Sequence, residues 1–132
     1  MIHPDYPDHP VRRAAEQSTH DRVIATLAQH IQQEGFRDVR TNPGQQKNNP
    51  VFCNKQKRIW PDVFTVENRR VTRIYEVETT STVDTGSADQ WEDYARCVPH
   101  FYLVVPESKQ KEAERILQAR SIPCKRIYTY KG

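Results

Sequence analysis

Apolar and polar positions alternate along the chain in two rhythms, one typical of amphipathic helices and one typical of short strands. The first helical stripe recurs at the 3.6-residue spacing of a single helix face and consists of His20, Ile24, Leu27 and Ile31. This stripe predicts a helix that begins at Pro10 or Ser18 and ends at Glu34, because Gly35 is a good C-terminal stop.

The rest of the chain alternates between strand-like and helical segments. In order, these are a strand at 36–40, a long loop at 41–56, strands at 58–66 and 71–80, a helix at 87–97, a strand at 100–105, a helix at 107–120 and a strand at 124–130. The hairpin in the first half predicts antiparallel pairing, and the strand–helix alternation in the second half predicts parallel pairing. We therefore expect an α/β fold, in the sense of a mixed α+β sheet flanked by helices.

Length and composition limit the organisation of the chain. Its 132 residues fit one domain, which we place at residues 10–132 after an extended arm at 1–9 that holds three of the nine prolines. The longest strongly apolar run, Phe101 to Val105, is far shorter than the ~20 residues that span a membrane. No signal peptide is expected, since the first ten residues lack an apolar core.

The three cysteines, Cys53, Cys97 and Cys124, are odd in number, widely spaced and without a Cys-x-x-Cys pair. This arrangement is typical neither of a disulfide framework nor of a zinc site. It predicts reduced cysteines and a cytoplasmic location.

Basic residues concentrate in one part of a chain whose net charge is only +3. Seven basic and two acidic residues are counted between positions 47 and 73, namely Lys47, Lys55, Lys57, Arg58, Asp62, Glu67, Arg69, Arg70 and Arg73. Such a run is typical of a solvated surface, and the functional alternative is a strip that contacts nucleic-acid phosphates.

Three carboxylates lie on the predicted hairpin within this region. Asp62 belongs to its first strand, and Glu76 and Glu78 point to one face of its second strand. Carboxylates this close are costly unless positive charge neutralises them, and Mg²⁺ or Mn²⁺ is a usual solution. Alternatively, the two glutamates form the solvent face of an edge strand.

The sequence Pro61-Asp62, followed on the next strand by Glu76-Val77-Glu78, resembles the PD-(D/E)XK nuclease superfamily. The resemblance implies a restriction-endonuclease-like αβββαβ core and hydrolysis of phosphodiester bonds. It assigns Asp62 and Glu76 to a bound metal ion. Glu78 replaces the usual Lys, and the resemblance to Glu-x-Glu members implies a general base or a further metal ligand there.

Gln90 and Tyr94 stand four residues apart on the next helix, so they share a face. Gln-x-x-x-Tyr resembles the extra motif of the RecB-like branch, which implies an auxiliary catalytic role for Gln90 and a nucleic-acid contact for Tyr94. Alternatively, Gln90 completes a capping box with Ser87. Lys55, Lys57 and Arg58 are the residues expected to hold phosphates.

The leading hypothesis is a Mg²⁺- or Mn²⁺-dependent nuclease that acts on DNA rather than RNA, either alone, as a homodimer or in a larger complex. The second hypothesis is a catalytically inactive nucleic-acid-binding or complex-subunit module on the same fold, which the missing Lys supports. A third is a small regulatory domain without a nucleic-acid role.

Overall fold

A computed structural model of the chain describes residues 14–44, 48–54 and 57–132. Three helices are present in this part of the chain, namely α1 (Ala14–Gln33), α2 (Ala88–Cys97) and α3 (Gln110–Ala119), with a 3₁₀ turn at Glu107–Lys109 before α3. The seven strands are β1 (Asp38–Thr41), β2 (Val51–Asn54), β3 (Lys57–Ile59), β4 (Val63–Glu67), β5 (Arg70–Val77), β6 (His100–Pro106) and β7 (Arg126–Tyr130). The arm predicted at 1–9 lies outside the described residues.

Five strands form a mixed sheet in the order β1-β4-β5-β6-β7. The β1–β4 and β4–β5 pairs are antiparallel, and the β5–β6 and β6–β7 pairs are parallel. The predicted mixed α/β fold is therefore confirmed. A two-residue turn at Asn68 and Arg69, both with positive φ, closes the β4–β5 hairpin where it was expected.

The helices cover both faces of the sheet and create two cores. On one face α1 packs its stripe against alternate residues of the central strands, in a cluster of Ile24, Ile31, Val63, Tyr75, Val77, Tyr102 and Val104. On the other face α2 and α3 pack over the opposite set, which includes Phe64, Ile74, Leu103, Trp91 and Ile116. Both crossover helices lie on one face because each connects neighbouring parallel strands in the same sense.

The loop predicted at 41–56 and the single strand predicted at 58–66 are both wrong in part. β2 and β3 pair antiparallel as a separate two-stranded ribbon, and 60–62 breaks the path between β3 and β4. The polar composition of the loop concealed β2, because only Val51 of this strand is fully buried. Pro61 contributes to the break, since proline lacks the amide that a sheet ladder requires.

The prediction of three reduced cysteines is also wrong. A disulfide joins Cys53 of β2 to Cys97 at the end of α2, with Cα atoms 5.1 Å apart. Cys124 is a free thiol, and burial raises its pKa above the ordinary value. No helix among the described residues is long and apolar enough to cross a membrane.

Candidate active site

Asp62 is positioned by the backbone that enters β4. The buried side chain of Asn42 holds this backbone, since Asn42 Nδ2 donates to the Pro61 carbonyl at 2.7 Å. The backbone N–H of Asn42 donates to the backbone carbonyl of Asp62 at 3.0 Å. Asn42 Oδ1 in turn accepts from the Asn49 amide at 2.7 Å. One buried amide side chain thus ties together the loop before β2 and the segment that carries Asp62.

Asp62 and Glu76 meet at the start of the β4–β5 pairing, in the register that convergence of the carboxylates requires. The Asp62 amide donates to Glu76 Oε1 at 2.9 Å, and the Val77 amide donates to Asp62 Oδ2 at 2.8 Å. Both residues are only 4% exposed. β5 is the central strand of the five, so the alternative that Glu76 and Glu78 form the solvent face of an edge strand is wrong.

A histidine from α1 completes this group. His20 is 1% exposed, and its Nε2 lies 3.0 Å from Asp62 Oδ1. Its other ring nitrogen, Nδ1, lies 3.1 Å from Asp21 Oδ1. The imidazole therefore bridges two carboxylates, and Asp21 orients the ring so that Nε2 faces Asp62.

Asp21 is itself held in place. Its Oδ1 accepts from the Gly44 amide at 2.8 Å and from Gln17 Nε2 at 2.9 Å. Partial burial raises the pKa of Asp21, but the hydrogen bonds from Gly44, His20 and Gln17 outweigh it. The pKa of Asp21 consequently lies below its ordinary value, and the carboxylate stays ionised beside the imidazole.

Glu78 is 3% exposed, and both its side-chain carboxyl group and its backbone carbonyl accept hydrogen bonds. Its Oε2 accepts from the indole nitrogen of Trp91 at 2.6 Å, and its carbonyl accepts from Tyr130 Oη at 2.7 Å. Trp91 is fully buried in α2. The indole thus fixes the orientation of the one carboxylate that stands at the position of the expected Lys. We call Asp62, Glu76, Glu78 and His20 the carboxylate centre.

Gln90 and Tyr94 pair with each other, since Gln90 Nε2 donates to Tyr94 Oη at 2.8 Å. The ring of Tyr94 is 1% exposed and belongs to the core, so its position does not support the expected nucleic-acid contact. The capping-box alternative is wrong as well. Ser87 makes no side-chain cap bond, and its Oγ donates to the Thr82 carbonyl instead.

The basic strip is divided between two ends of the molecule. Lys57 forms an ion pair with Asp93 at 2.5 Å, whereas Arg58 is exposed and its guanidinium lies 5.4 Å from the centre of the Trp60 ring. Arg69 occupies the hairpin turn at the end of β4 remote from Asp62, so it does not stand beside the carboxylate centre. Lys55 lies outside the described residues.

The carboxylates of the centre are of the type that holds hard divalent cations such as Mg²⁺ and Mn²⁺, whereas the imidazole of His20 is more typical of sites for Zn²⁺, Cu²⁺, Fe²⁺ or Ni²⁺. Their present contacts are with protein donors. Among residues 14–44, 48–54 and 57–132, no three His, Cys, Asp or Glu side chains are arranged to hold a metal ion. Binding of a cation would therefore require Asp62 or Glu76 to exchange a hydrogen bond for the metal.

Three residues of the site were not assigned to it from the sequence, namely His20, Asn42 and Trp91. His20 sits within the apolar stripe of α1, where a polar side chain of this size was a detectable signal. Asn42 and Trp91 act across 19 and 13 residues respectively, a distance at which no local pattern is informative.

Comparison with known proteins finds no matching family model, no matching curated protein and no matching solved structure.

Proposed function

We propose that this protein is a metal-dependent nuclease that hydrolyses phosphodiester bonds, with DNA preferred over RNA. The observation that carries the proposal is the burial of three carboxylates, Asp62, Glu76 and Glu78, beside a buried histidine at one end of the central hairpin. This end of the hairpin is contacted by two helices, since His20 of α1 lies against Asp62 and Trp91 of α2 donates to Glu78.

Burial of several carboxylates is expensive, because each buried ion loses several kcal/mol of hydration even after relaxation. Proteins retain such groups where a cation or a proton compensates them, and such sites are often functional. A divalent cation is the compensation that also provides chemistry, and Mg²⁺ and Mn²⁺ both take carboxylate oxygens.

The order of elements supports the resemblance to the PD-(D/E)XK superfamily. A helix precedes three antiparallel strands, and β5 is followed by α2 and a parallel β6. In this order the Asp stands at the start of the second strand of the sheet and the two glutamates at the end of the third, as the resemblance requires. The β2–β3 ribbon is then an insertion between the first two strands.

The residues of the centre divide into three roles. Asp62, Glu76 and His20 are the candidate metal ligands. His20 Nε2 lies 3.0 Å from Asp62 Oδ1, and Glu76 Oε1 lies 2.9 Å from the backbone nitrogen of Asp62. A bound Mg²⁺ or Mn²⁺ would polarise the phosphate and lower the pKa of a water molecule. Glu78, oriented by Trp91, is the candidate general base or a third metal ligand.

Gln90 keeps an auxiliary catalytic role in the proposal, and Tyr94 is its hydrogen-bond partner. Because Gln90 Nε2 donates a hydrogen bond to Tyr94 Oη, the side-chain carbonyl oxygen of Gln90 is the atom that can accept a hydrogen bond from a water molecule. Tyr94 then acts by orienting Gln90 rather than by touching nucleic acid.

The direct test is cleavage of labelled single-stranded and duplex DNA in Mg²⁺, Mn²⁺ or chelator. We expect cleavage only with metal, and a loss of at least about a hundredfold in Asp62→Asn, the range reported for groups that stabilise a transition state. Glu114→Gln, on the exposed surface of α3, is the matched control and should retain full activity. Metal-independent cleavage, or full activity in Asp62→Asn, would refute the proposal.

The second candidate is a nucleic-acid-binding or complex-subunit module without catalysis. One observation favours it, namely that Asp62 and Glu78 are already bonded to Val77 and Trp91. Such a module keeps salt-dependent nucleic-acid affinity in chelator and shows no cleavage in any metal. The cleavage and binding assays therefore separate the two candidates.

A cytoplasmic location stays part of the proposal, and the Cys53–Cys97 disulfide bears against it, because such bonds are rare in that compartment. Thiol counting on protein isolated from cells under acid quench tests this point. One free thiol indicates an oxidising compartment and three indicate a reducing one. Assembly as a homodimer or as a subunit of a larger complex also stays a prediction, which light scattering tests.

A further inference from the structure

The outer face of the β2–β3 ribbon carries a short row of aromatic and cationic side chains. Phe52, at 67% exposure, is the one exposed large apolar side chain in the described part of the chain. Arg58 is its direct cross-strand partner and is exposed as well. Trp60 continues the line of β3, is half-buried, and lies under the Arg58 guanidinium at 5.4 Å. We call Phe52, Arg58 and Trp60 the ribbon ridge.

The opposite face of the ribbon is anchored to the body of the protein. Val51 and Ile59 are 5% and 0% exposed and belong to the core beneath α2. The Cys53–Cys97 bond and the ion pair between Lys57 and Asp93 add two further links to α2. The ridge is therefore held on a rigid support, and none of these anchors requires an aromatic ring on the outer face.

The ridge stands next to the carboxylate centre along the chain. Trp60 is two residues before Asp62, a separation of at most about 7 Å between Cα atoms. A lone exposed phenylalanine is ordinary on protein surfaces. A phenylalanine paired across the ribbon with an arginine, which itself covers a tryptophan beside a catalytic candidate, indicates a binding surface.

We propose that the ribbon ridge binds single-stranded nucleic acid, and that unpaired bases stack on Phe52 and Trp60 while Arg58 contacts a phosphate. The proposal rests on the nuclease or nucleic-acid-binding function proposed above and narrows its substrate. Aromatic side chains stack on bases that are unpaired, because a duplex buries the base faces against one another. A guanidinium stacked on a ring keeps its N–H edge for a phosphate oxygen. The substrate is then a single strand, or a single-stranded end or flap of a duplex.

The test is equilibrium binding in chelator, measured by fluorescence anisotropy with a labelled oligothymidylate of about 16 nucleotides and a blunt duplex of equal length. We expect the single strand to bind more tightly than the duplex. Phe52→Ala should weaken single-strand binding between about fivefold and a hundredfold, the effect of one lost base stack. Phe52→Tyr should bind like the parent, because a phenol ring also stacks.

The salt dependence of the affinity separates the charge contribution of Arg58 from the stacking contribution of Phe52. Arg58→Ala should flatten the dependence of log affinity on log salt by about 0.7, whereas Phe52→Ala should leave this slope unchanged. Arg115→Ala, which removes an exposed arginine from α3, is the matched control and should change neither quantity. Trp91 is fully buried, so quenching of the protein fluorescence by oligothymidylate is expected to come from Trp60 and to disappear in Trp60→Phe.

The outcomes distinguish this proposal from the proposed catalysis. Single-strand affinity that falls in Phe52→Ala, without cleavage in any metal, supports the ridge and refutes the nuclease. Metal-dependent cleavage with unchanged affinity in Phe52→Ala and Arg58→Ala supports the nuclease and refutes the ridge. Tighter binding to the duplex than to the single strand, or no binding to either probe, also overturns the proposal.

Discussion

The contact between Trp91 and Glu78 allows the energetics of the carboxylate centre to be measured without any substrate. Trp91→Phe removes the indole N–H that Glu78 Oε2 accepts at 2.6 Å, and both side chains are buried. A hydrogen bond to a charged group contributes about 1.5–3 kcal/mol to stability. The smaller ring removes roughly two carbon-sized groups from the core, at about 0.8 kcal/mol for each. We therefore expect a total loss of about 3–5 kcal/mol.

A double-mutant cycle separates the two contributions. Glu78→Met replaces the carboxylate by an apolar side chain of similar length, so Trp91→Phe in that background should cost only the packing contribution of about 1–2 kcal/mol. The coupling energy between the two positions should then be about 1.5–3 kcal/mol. The measurement is urea denaturation followed by circular dichroism in chelator, because the substitution alters the tryptophan fluorescence.

A coupling energy below about 0.5 kcal/mol would refute this reasoning, since that is the range within which independent sites add. It would mean that Trp91 does not hold the Glu78 carboxyl group through this hydrogen bond. The orientation of Glu78, and with it the assignment of Glu78 as general base, would then lose its support.

Three further predictions concern the disulfide, the buried Asn42 side chain and the free thiol of Cys124. The Cys53→Ser/Cys97→Ser variant should lose up to about 4 kcal/mol of stability in urea denaturation without reductant, as expected for a closed loop spanning 44 residues, and should match the parent in dithiothreitol. Asn42→Ala leaves buried backbone groups around Pro61 without a donor, so urea denaturation should show a loss of about 1–3 kcal/mol. Because burial raises the pKa of Cys124, alkylation of native protein should be slower than alkylation of urea-unfolded protein near pH 8.5. For the same reason, the contribution of the neutral Cys124 thiol to the stability of the folded protein should fall only as the pH rises above the pKa of the unfolded state.

The sequence predicted correctly those helices and strands whose apolar and polar residues alternate regularly along the element itself. The stripe of α1, the β4–β5 hairpin and the alternation of Glu76 and Glu78 with apolar neighbours are all signals carried by adjacent residues. The register that places Asp62 against Glu76 also depends on a β-bulge between Thr65 and Val66, which the sequence did not reveal. A two-residue turn without the bulge would pair Asp62 with Tyr75.

Contacts between distant segments were beyond such patterns. The β2–β3 ribbon consists of short strands in a polar segment, and its stability comes from α2 through the Cys53–Cys97 bond and the ion pair between Lys57 and Asp93. These contacts span 44 and 36 residues. The exposed strand face beside the centre was likewise hidden, because only pairing with β3 places Phe52 opposite Arg58.

The central claim is that the carboxylate centre binds a divalent cation, and calorimetric titration of Mn²⁺ into the protein tests it most directly. The comparison requires the parent, Asp62→Ala, Glu76→Ala and the surface control Glu114→Ala. We expect one Mn²⁺ site in the parent and in Glu114→Ala, and loss of that site in both variants of the centre. Absence of binding in the parent, or binding that survives in Asp62→Ala and Glu76→Ala, would contradict the claim and leave the buried acids as part of a scaffold.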